Sequence, residues 1–272
     1  MVKIMKEVIK LPRKGRLIVV TDIHGNKEDY DKYINIWDAE NPFCHILFLG
    51  DLIHEVEYGK DLSLDILEDI YNNYIHLRNF HVLLGNHELS QISNDDVWKY
   101  TINQTYEFNN HIRDRIKNLE MGDVTQEQAE KYYNHIIEQF DYFCITSNGF
   151  FFSHAGISDS ALNSLISQSV DLFNLDINNL NDYKFLEEML WARPYDDYTE
   201  NTIDTFLERV NCKFMCVGHT VYNGMHILGN QLIFDSSFCT DNKYYLDIDL
   251  SKDYKDIFEV IKCLEDLDEI LY

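Results

Sequence analysis

Five times along the chain an apolar run ends in a short segment carrying carboxylate, imidazole or amide side chains. The segments are VVTDIHGN (19–26), LFLGDLIHE (47–55), LLGNHE (83–88), FFSHAG (151–156) and CVGHT (216–220). Leu17 to Val20 is a continuous, mostly β-branched run. That composition suits a strand buried on both faces, and Gly25-Asn26 is a turn signal directly behind it. Asp22 and His24 are therefore expected at the carboxyl end of a strand, the place where open α/β sheets bind ligands. The same reading applies to ILFLG before Asp51, FHVLLG before Asn86 and His87, FFF before His154, and KFMCVG before His219.

A single Asp-x-His is as readily an ordinary loop pair as a functional one. Five segments that repeat ligand types at one position relative to a strand are not expected of unrelated loops. Carboxylate, imidazole and amide oxygens suit manganese, iron or zinc better than a thiolate metal. There are enough of them for two ions about 3.5 to 4 Å apart, the separation that clamps a phosphoryl group during in-line displacement.

The segments TDIHG, Gly50-Asp51, GNHE (85–88), HAG (154–156) and GHT (218–220) resemble the calcineurin-like metallophosphoesterases. Their order, with VGHTVYNGMHILGNQLIFDSS, is most similar to the branch of serine/threonine protein phosphatases and bacterial diadenosine tetraphosphatases. The resemblance runs from about Leu17 to Leu250. It implies an α/β fold, a two-sheet sandwich flanked by helices in four layers. It also implies two divalent transition-metal ions, manganese first, with iron or zinc as alternatives. Asp22 and His24 would hold the first ion, Asp51 would bridge both, and Asn86, His154 and His219 would complete the second. A water or hydroxide shared by the ions would be the nucleophile, since bound cations lower the pKa of water towards neutrality. His87 would protonate the leaving oxygen or stabilise its charge.

A phosphate also needs a cation, and a guanidinium contacts two phosphate oxygens in a fixed fork. Arg193 in EEMLWARPY (187–195) resembles the Trp-containing loop that supplies such an arginine in this branch. The plainer alternative makes Leu190 and Trp191 core anchors and Arg193 a helix cap. The protein phosphatases continue Gly-Asp to an Asp-Arg-Gly, whereas GDLIHEV places His54 where the Asp that orients the acid histidine would stand. Glu55 then stands where a second phosphate-binding arginine would, and its charge repels a phosphate dianion unless it turns away or is paired. GDLIHE is also similar to a segment of the nuclease branch, where a histidine helps position a phosphodiester, so His54 is a candidate catalytic residue. That branch ends in Gly-His-x-His; here Val221 follows Gly218-His219-Thr220, and His226 is not assigned as a ligand.

The leading expectation is a dinuclear-metal hydrolase of phosphate esters, similar to serine/threonine protein phosphatases, acting on a phosphoprotein or a small nucleotide. One alternative is a phosphodiesterase acting on dinucleoside polyphosphates or nucleic acid. Another is an inactive scaffold of the same fold, against which the complete ligand set argues. With 23 Lys+Arg against 47 Asp+Glu, the formal net charge is −24. This opposes nucleic acid, whose non-specific binding rests on phosphate neutralisation.

The 272 residues, 45% hydrophobic, fit one α/β domain over residues 1–272, with no linker-like stretch to divide it. A helical insertion is expected at about 89–148. Its stretches NQTYEFNNHIRDRIKNLE (103–120) and TQEQAEKYYNHIIEQF (125–140) have helical periodicity, with Met121-Gly122-Asp123 between them. Thr125 and Gln128 have capping-box spacing. A substrate lid and a structural hairpin are equal readings, and His111 and His135 read as surface or packing residues. Residues 158–188 read as short helices over one face. YYLDIDL (244–250) reads as a strand, and IFEVIKC (257–263) as a second strand before a short terminal helix, although the run to Leu271 also fits a helix. The six cysteines show no CxxC pair and read as core thiols. No run of 18 apolar residues occurs, so the expectation is a cytoplasmic protein without membrane contact.

Overall fold

The computed structural model describes residues 6, 8–54, 61–99, 101–118 and 124–269. Glu55 and the expected break at Met121-Gly122-Asp123 lie outside these residues. All five apolar runs form strands. Along the first part of the chain these are β1 (Ile9–Leu11), β2 (Arg16–Val20), β3 (Cys44–Phe48) and β4 (Phe80–Val82), then a short ribbon of β5 (Trp98–Lys99) and β6 (Ile102–Asn103). The second part adds β7 (Cys144–Thr146), β8 (Phe150–Phe152), β9 (Phe214–Val217), β10 (Met225–Leu228), β11 (Gln231–Phe234), β12 (Tyr244–Asp249) and β13 (Leu264–Asp266).

The strands build two mixed sheets, one ordered β1-β7-β8-β9-β11-β10 and the other β13-β12-β2-β3-β4. β2, β3 and β4 run parallel to one another, and so do β8, β9 and β11. Six strand ends therefore point to one edge of the molecule.

Side-chain alternation decides which core each residue enters. Leu17 and Val19, Leu47, Phe150 and Phe152, Phe214 and Cys216, Leu232 and Phe234, and Leu246 and Ile248 form one cluster contributed by both sheets. Their neighbours Ile18 and Val20, Ile46 and Phe48, Phe151, Met215 and Val217, and Ile233 belong to the second cluster with the helices. The sheets are thus packed face to face and covered by helices outside, as the four-layer sandwich requires. Tyr30 of α1 (Lys27–Ile36) stacks on Phe48, and Phe206 of α8 (Glu200–Val210) meets Phe151 edge-on.

The insertion begins with α3 (Asn86–Ser93) and continues through the ribbon to α4 (Gln104–Asn118) and α5 (Gln126–Ile137). Thr125 accepts from Gln128 N, and Gln128 reaches back to Thr125 N, which closes the capping box. Arg115 bridges to Asp65 and Glu68, on α2 (Ser63–Asp69), and His111 pairs with Asp61 at 2.9 Å, so α4 is docked by charge. Residues 158–188 contribute α6 (Asp159–Ile166) and most of α7 (Leu180–Trp191).

The carboxyl-terminal stretch departs from the expected order. Residues 257–261 are helical, as α9 (Ile257–Ile261), and the strand that pairs with β12 is β13, three residues further on. Asp256 caps this helix by accepting from Glu259 N at 3.0 Å. Ile257 and Val260 both enter the inner core, which a helix allows at a spacing of three and a strand does not. Among the described residues Cys44, Cys144 and Cys216 are buried thiols and Cys239 is exposed. No described helix is long and apolar enough to cross a membrane.

Phe150 lies between Phe152, Phe214 and Tyr254 with no exposed surface. Phe150→Ala is expected to lower the unfolding free energy by about 3–5 kcal/mol, read from urea denaturation.

Candidate metal centre

The strand ends turn sharply to aim their side chains inward. Asp22 (φ 51°), His24 (φ 47°), Asp51 (φ 52°), His54 (φ 68°) and His219 (φ 64°) all adopt the left-handed conformation. Asp and His tolerate this region better than most residues, but its concentration in three loops marks stored strain. Two glycines permit the close approach. A Cβ on Gly218 would stand 1.8 Å from Thr21 Oγ1, and one on Gly85 would stand 2.1 Å from Asp51 Oδ1.

Asp51 Oδ2 is the centre of the cluster. It lies 3.5 Å from His24 Nε2, 3.4 Å from His154 Nε2 and 3.8 Å from His87 Nε2. His24 Nδ1 faces the Ile53 and His54 carbonyls at 3.1 and 3.0 Å, and His154 Nδ1 faces the Leu49 carbonyl at 3.0 Å. Each Nδ1 therefore donates to a carbonyl and each Nε2 is turned to the centre, the orientation a metal ligand needs; without cations, and against its burial, the neighbouring carboxylates, Asp51 first, push His154 up to about 9. His154 Nε2 also lies 2.8 Å from Asn86 Oδ1 and 3.2 Å from His219 Nδ1. Asp22 Oδ1 is 3.9 Å from His24 Nε2, while its Oδ2 accepts from Thr21 Oγ1 and from His219 N, the latter at 3.0 Å. Asn86 Nδ2 and His219 Nε2 are buried without a hydrogen-bond partner.

All six expected ligands thus meet in one place, although they come from both sheets. Two triads have ligand atoms close enough to share an ion: His24, Asp51 and His87, and Asp51, His154 and His219. His87 rather than Asp22 stands in the first. Convergent lone pairs and orphaned polar atoms fit divalent cations better than a closed hydrogen-bond network, in which such atoms would be paired.

Burial alone would raise the Asp51 carboxyl, but the charge of His154 and its hydrogen bond hold it well below the usual carboxylate range. Asp22 is pushed up by burial, aided by the charge of Asp51. Burial drives His87 well down and His54 down to about 4, so both are neutral at neutral pH. Their Nδ1 atoms are 3.0 Å apart, hence one ring donates to the other. The structure places His54 behind His87, against Phe108 and 2% exposed, rather than on the open face.

Arg193 is exposed, and its charge helps lower the pKa of His219, after burial and His154. Its N–H donates to Asp197 Oδ2 at 2.7 Å, and the Trp191 ring centre is 6.0 Å from that of His219. The arginine thus stands at the His219 end of the cluster. His226 is turned away, stacked on Tyr222 at 4.2 Å and bonded to Tyr195 Oη at 2.8 Å.

Two residues were not singled out from the sequence. Glu88 takes Asp51 N and Gly85 N on one oxygen (2.8 and 2.9 Å), and Leu52 N and Ile53 N on the other (2.7 and 3.2 Å). Burial and the Asp51 charge push it up to about 7, against four donors that favour the carboxylate. Its place three residues after Gly85 at a helix start is a capping signal legible in GNHE. Phe238 lies with its ring centre 4.3 Å from that of His24, and its N–H donates to the Asp22 carbonyl at 3.1 Å. No local pattern marks it, because the contact spans more than two hundred residues of chain.

A family model described as calcineurin-like phosphoesterase matches residues 15–223. No curated protein sequence matches. Among solved structures, a protein serine/threonine phosphatase from Saccharomyces cerevisiae superposes with a TM-score of 0.62 at 15% identity, covering 89% of this chain and 76% of that one. A cold-active protein-tyrosine phosphatase of a psychrophilic Shewanella species superposes with a TM-score of 0.60 at 16% identity, over 90% and 79%. At these identities the likeness is one of fold.

Replacing the Glu88 carboxylate by an amide removes the charge from four hydrogen bonds and turns a donor on to backbone N–H groups. Glu88→Gln is expected to lose about 1.5–3 kcal/mol of stability in the metal-free protein. An unchanged urea midpoint would show that the Asp51 loop does not depend on that charge.

Proposed function

Because the chain belongs to the calcineurin-like phosphoesterases, a family of metal-dependent hydrolases, we propose that it is a dinuclear-metal phosphatase acting on phosphate monoesters, in the manner of the serine/threonine protein phosphatases. The observation that carries this reading is the position of Asp51 Oδ2, 3.5 Å from His24 Nε2 on one side and 3.4 Å from His154 Nε2 on the other. One carboxylate oxygen shared by two imidazole groups is what a bridging ligand requires.

Asp22 and His24 would hold one ion with Asp51, and Asn86, His154 and His219 the other. The mixture of oxygen and imidazole donors favours manganese, with iron or zinc as substitutes. Two such cations, when bound, lower the pKa of water and clamp phosphoryl oxygens. His87 keeps 12% of its side chain exposed, against 5% for His24 and 0% for His154, so it is best placed to stabilise the charge on a leaving oxygen through its ring N–H. The bond to His54 fixes the ring of His87. Arg193 at the His219 end would bind phosphate oxygens in a fork. Diester chemistry is less well supported, because His54 stands behind His87. The substrate would be a phosphoprotein or a small nucleotide, and the net charge of −24 weighs against nucleic acid. We also take residues 1–272 as one domain with an insertion at about 89–148, supported by the inner core that both sheets share.

Purified protein is expected to hydrolyse p-nitrophenyl phosphate when manganese is added and to stop when it is chelated. Failure to hydrolyse either this ester or its bis form with any divalent metal would end the reading, and a preference for the bis ester would turn it to a phosphodiesterase. Asp51→Asn is expected to lower kcat/KM a hundredfold or more, about 3 kcal/mol, and to weaken occupancy of both ions. Arg193→Ala should lower kcat/KM about a hundredfold with metal content unchanged; unaltered kinetics would make it a structural residue.

A further inference from the structure

The loop after β11 and the start of α1 enclose a cavity of about 700 Å³ that has His24 in its wall. Its two sides are bolted together at Asp29, which is 1% exposed. Asp29 Oδ2 accepts from Ser237 Oγ at 2.7 Å, from Lys243 Nζ at 2.6 Å and from Asn26 Nδ2 at 2.7 Å. The cavity is therefore preformed, and its volume falls within the roughly 300–1,000 Å³ of small-molecule sites.

Its place beside the metal centre gives it a role. The ring centre of His24 is 4.8 Å from that of His87 and 4.3 Å from that of Phe238, which also lines the cavity. His87, the residue assigned to the leaving oxygen, thus stands at the His24 end of the cluster, and Arg193 at the His219 end. A phosphate reached by Arg193 from one end and by His87 from the other releases its alcohol on the side of His87, where the cavity lies. We propose that this cavity receives the alcohol part of the substrate, and that the alcohol is an uncharged, ring-bearing one of nucleoside size. The substrate class is then a nucleoside monophosphate, which rests on the phosphomonoesterase reading above.

The walls select for that chemistry. Ile23, Leu62 and Phe238 offer apolar surface, and Asn26, Ser237 and Thr240 offer amide and hydroxyl groups. A flat ring carrying several hydroxyls meets both, whereas an aliphatic alcohol leaves the polar groups unmatched and a bare polyol leaves the apolar ones wet. Charge argues against a second phosphate. Lys27 and Lys243 line the cavity with Glu28 and Asp241, two cations against two carboxylates, so the formal charge of the wall is zero. Each ammonium already has a carboxylate, Asp31 for Lys27 and the buried Asp29 for Lys243. A dinucleoside polyphosphate would have to break one of these pairs, while an uncharged nucleoside breaks neither. A phosphoprotein would leave most of the cavity to water, because a seryl or threonyl side chain is far smaller than the space.

The test fills the cavity from opposite walls with Leu62→Trp and, separately, Thr240→Trp. Adenosine is first added to the metal-free protein, so that binding is read whether or not an ester is cleaved. Amide resonances of Gly25, Asn26 and Ser237 are expected to shift in the wild type, and the shifts should be lost in both variants. With manganese loaded, kcat/KM for adenosine 5′-monophosphate should fall about tenfold in each variant, or 1.4 kcal/mol, and that for a phosphoseryl peptide less than about twofold. Inorganic phosphate, which carries no alcohol, should bind both variants within about twofold of the wild type. Adenosine that leaves those resonances unmoved overturns the proposal, as does an equal effect of the variants on nucleotide and peptide, or a loss of phosphate affinity in both. A wild type that binds adenosine in the cavity but hydrolyses neither ester would count against the phosphatase reading alone.

Discussion

A carboxylate with 2% of its surface exposed, Asp51, sets the terms for everything around it. Leaving such a group charged in a sandwich of Phe, Leu and Val side chains is costly unless cations or donors surround it. Three imidazoles lie within 4 Å of its Oδ2, and His87 N donates to its Oδ1 at 3.1 Å. Glu88 then fixes the loop that carries it by gathering the N–H groups of Asp51, Leu52 and Ile53. A site so dense in charge and lone pairs has few stable arrangements without cations, which is why its geometry speaks for metal chemistry rather than for a structural network.

The cost of this arrangement is met by the sandwich. Left-handed conformations at Asp22, His24, Asp51, His54 and His219 persist because the strands beneath them are locked in register and buried on both faces. Bonds between the sheets complete the lock: His219 N to Asp22 Oδ2, His154 Nδ1 to the Leu49 carbonyl, and Thr21 N to Ser236 Oγ at 3.0 Å. Local strain at the rim and close packing beneath it are two aspects of one design.

Two structures of similar fold, one a serine/threonine phosphatase and one a tyrosine phosphatase, show that this framework does not decide which phosphate ester is cleaved. That choice belongs to side chains at the rim. The residues beside the cluster arrive from distant segments, Arg193 after α7 and Phe238 after β11. The helical hairpin of the insertion is held by Arg115 and His111 on acidic partners, so the rim it supports is positioned rather than loose.

Much of the metal centre was legible in the sequence because its signals are local. An apolar run, a glycine and a ligand type recur together, and the strand that precedes each ligand forms where the run predicts it. The Thr125 cap and the helices of the insertion were legible for the same reason. What the sequence could not show is anything that depends on one sheet facing another. Nothing near Gly218 tells that Thr21 will stand where its Cβ would be, nor does GDLIHE tell that His54 turns behind His87 on to Phe108. A strand was the preferred reading at Ile257, with a helix as the alternative, because IFEVIKC is apolar at both periods, and only the inner core, reached by Ile257 and Val260 together, selects the helix. The sequence by itself determined which residue types end each strand, through short-range periodicity and turn chemistry. The tertiary structure decided which of them meet, because packing two sheets over one core brings His24 and His154, 130 residues apart, within 4 Å of one oxygen of Asp51.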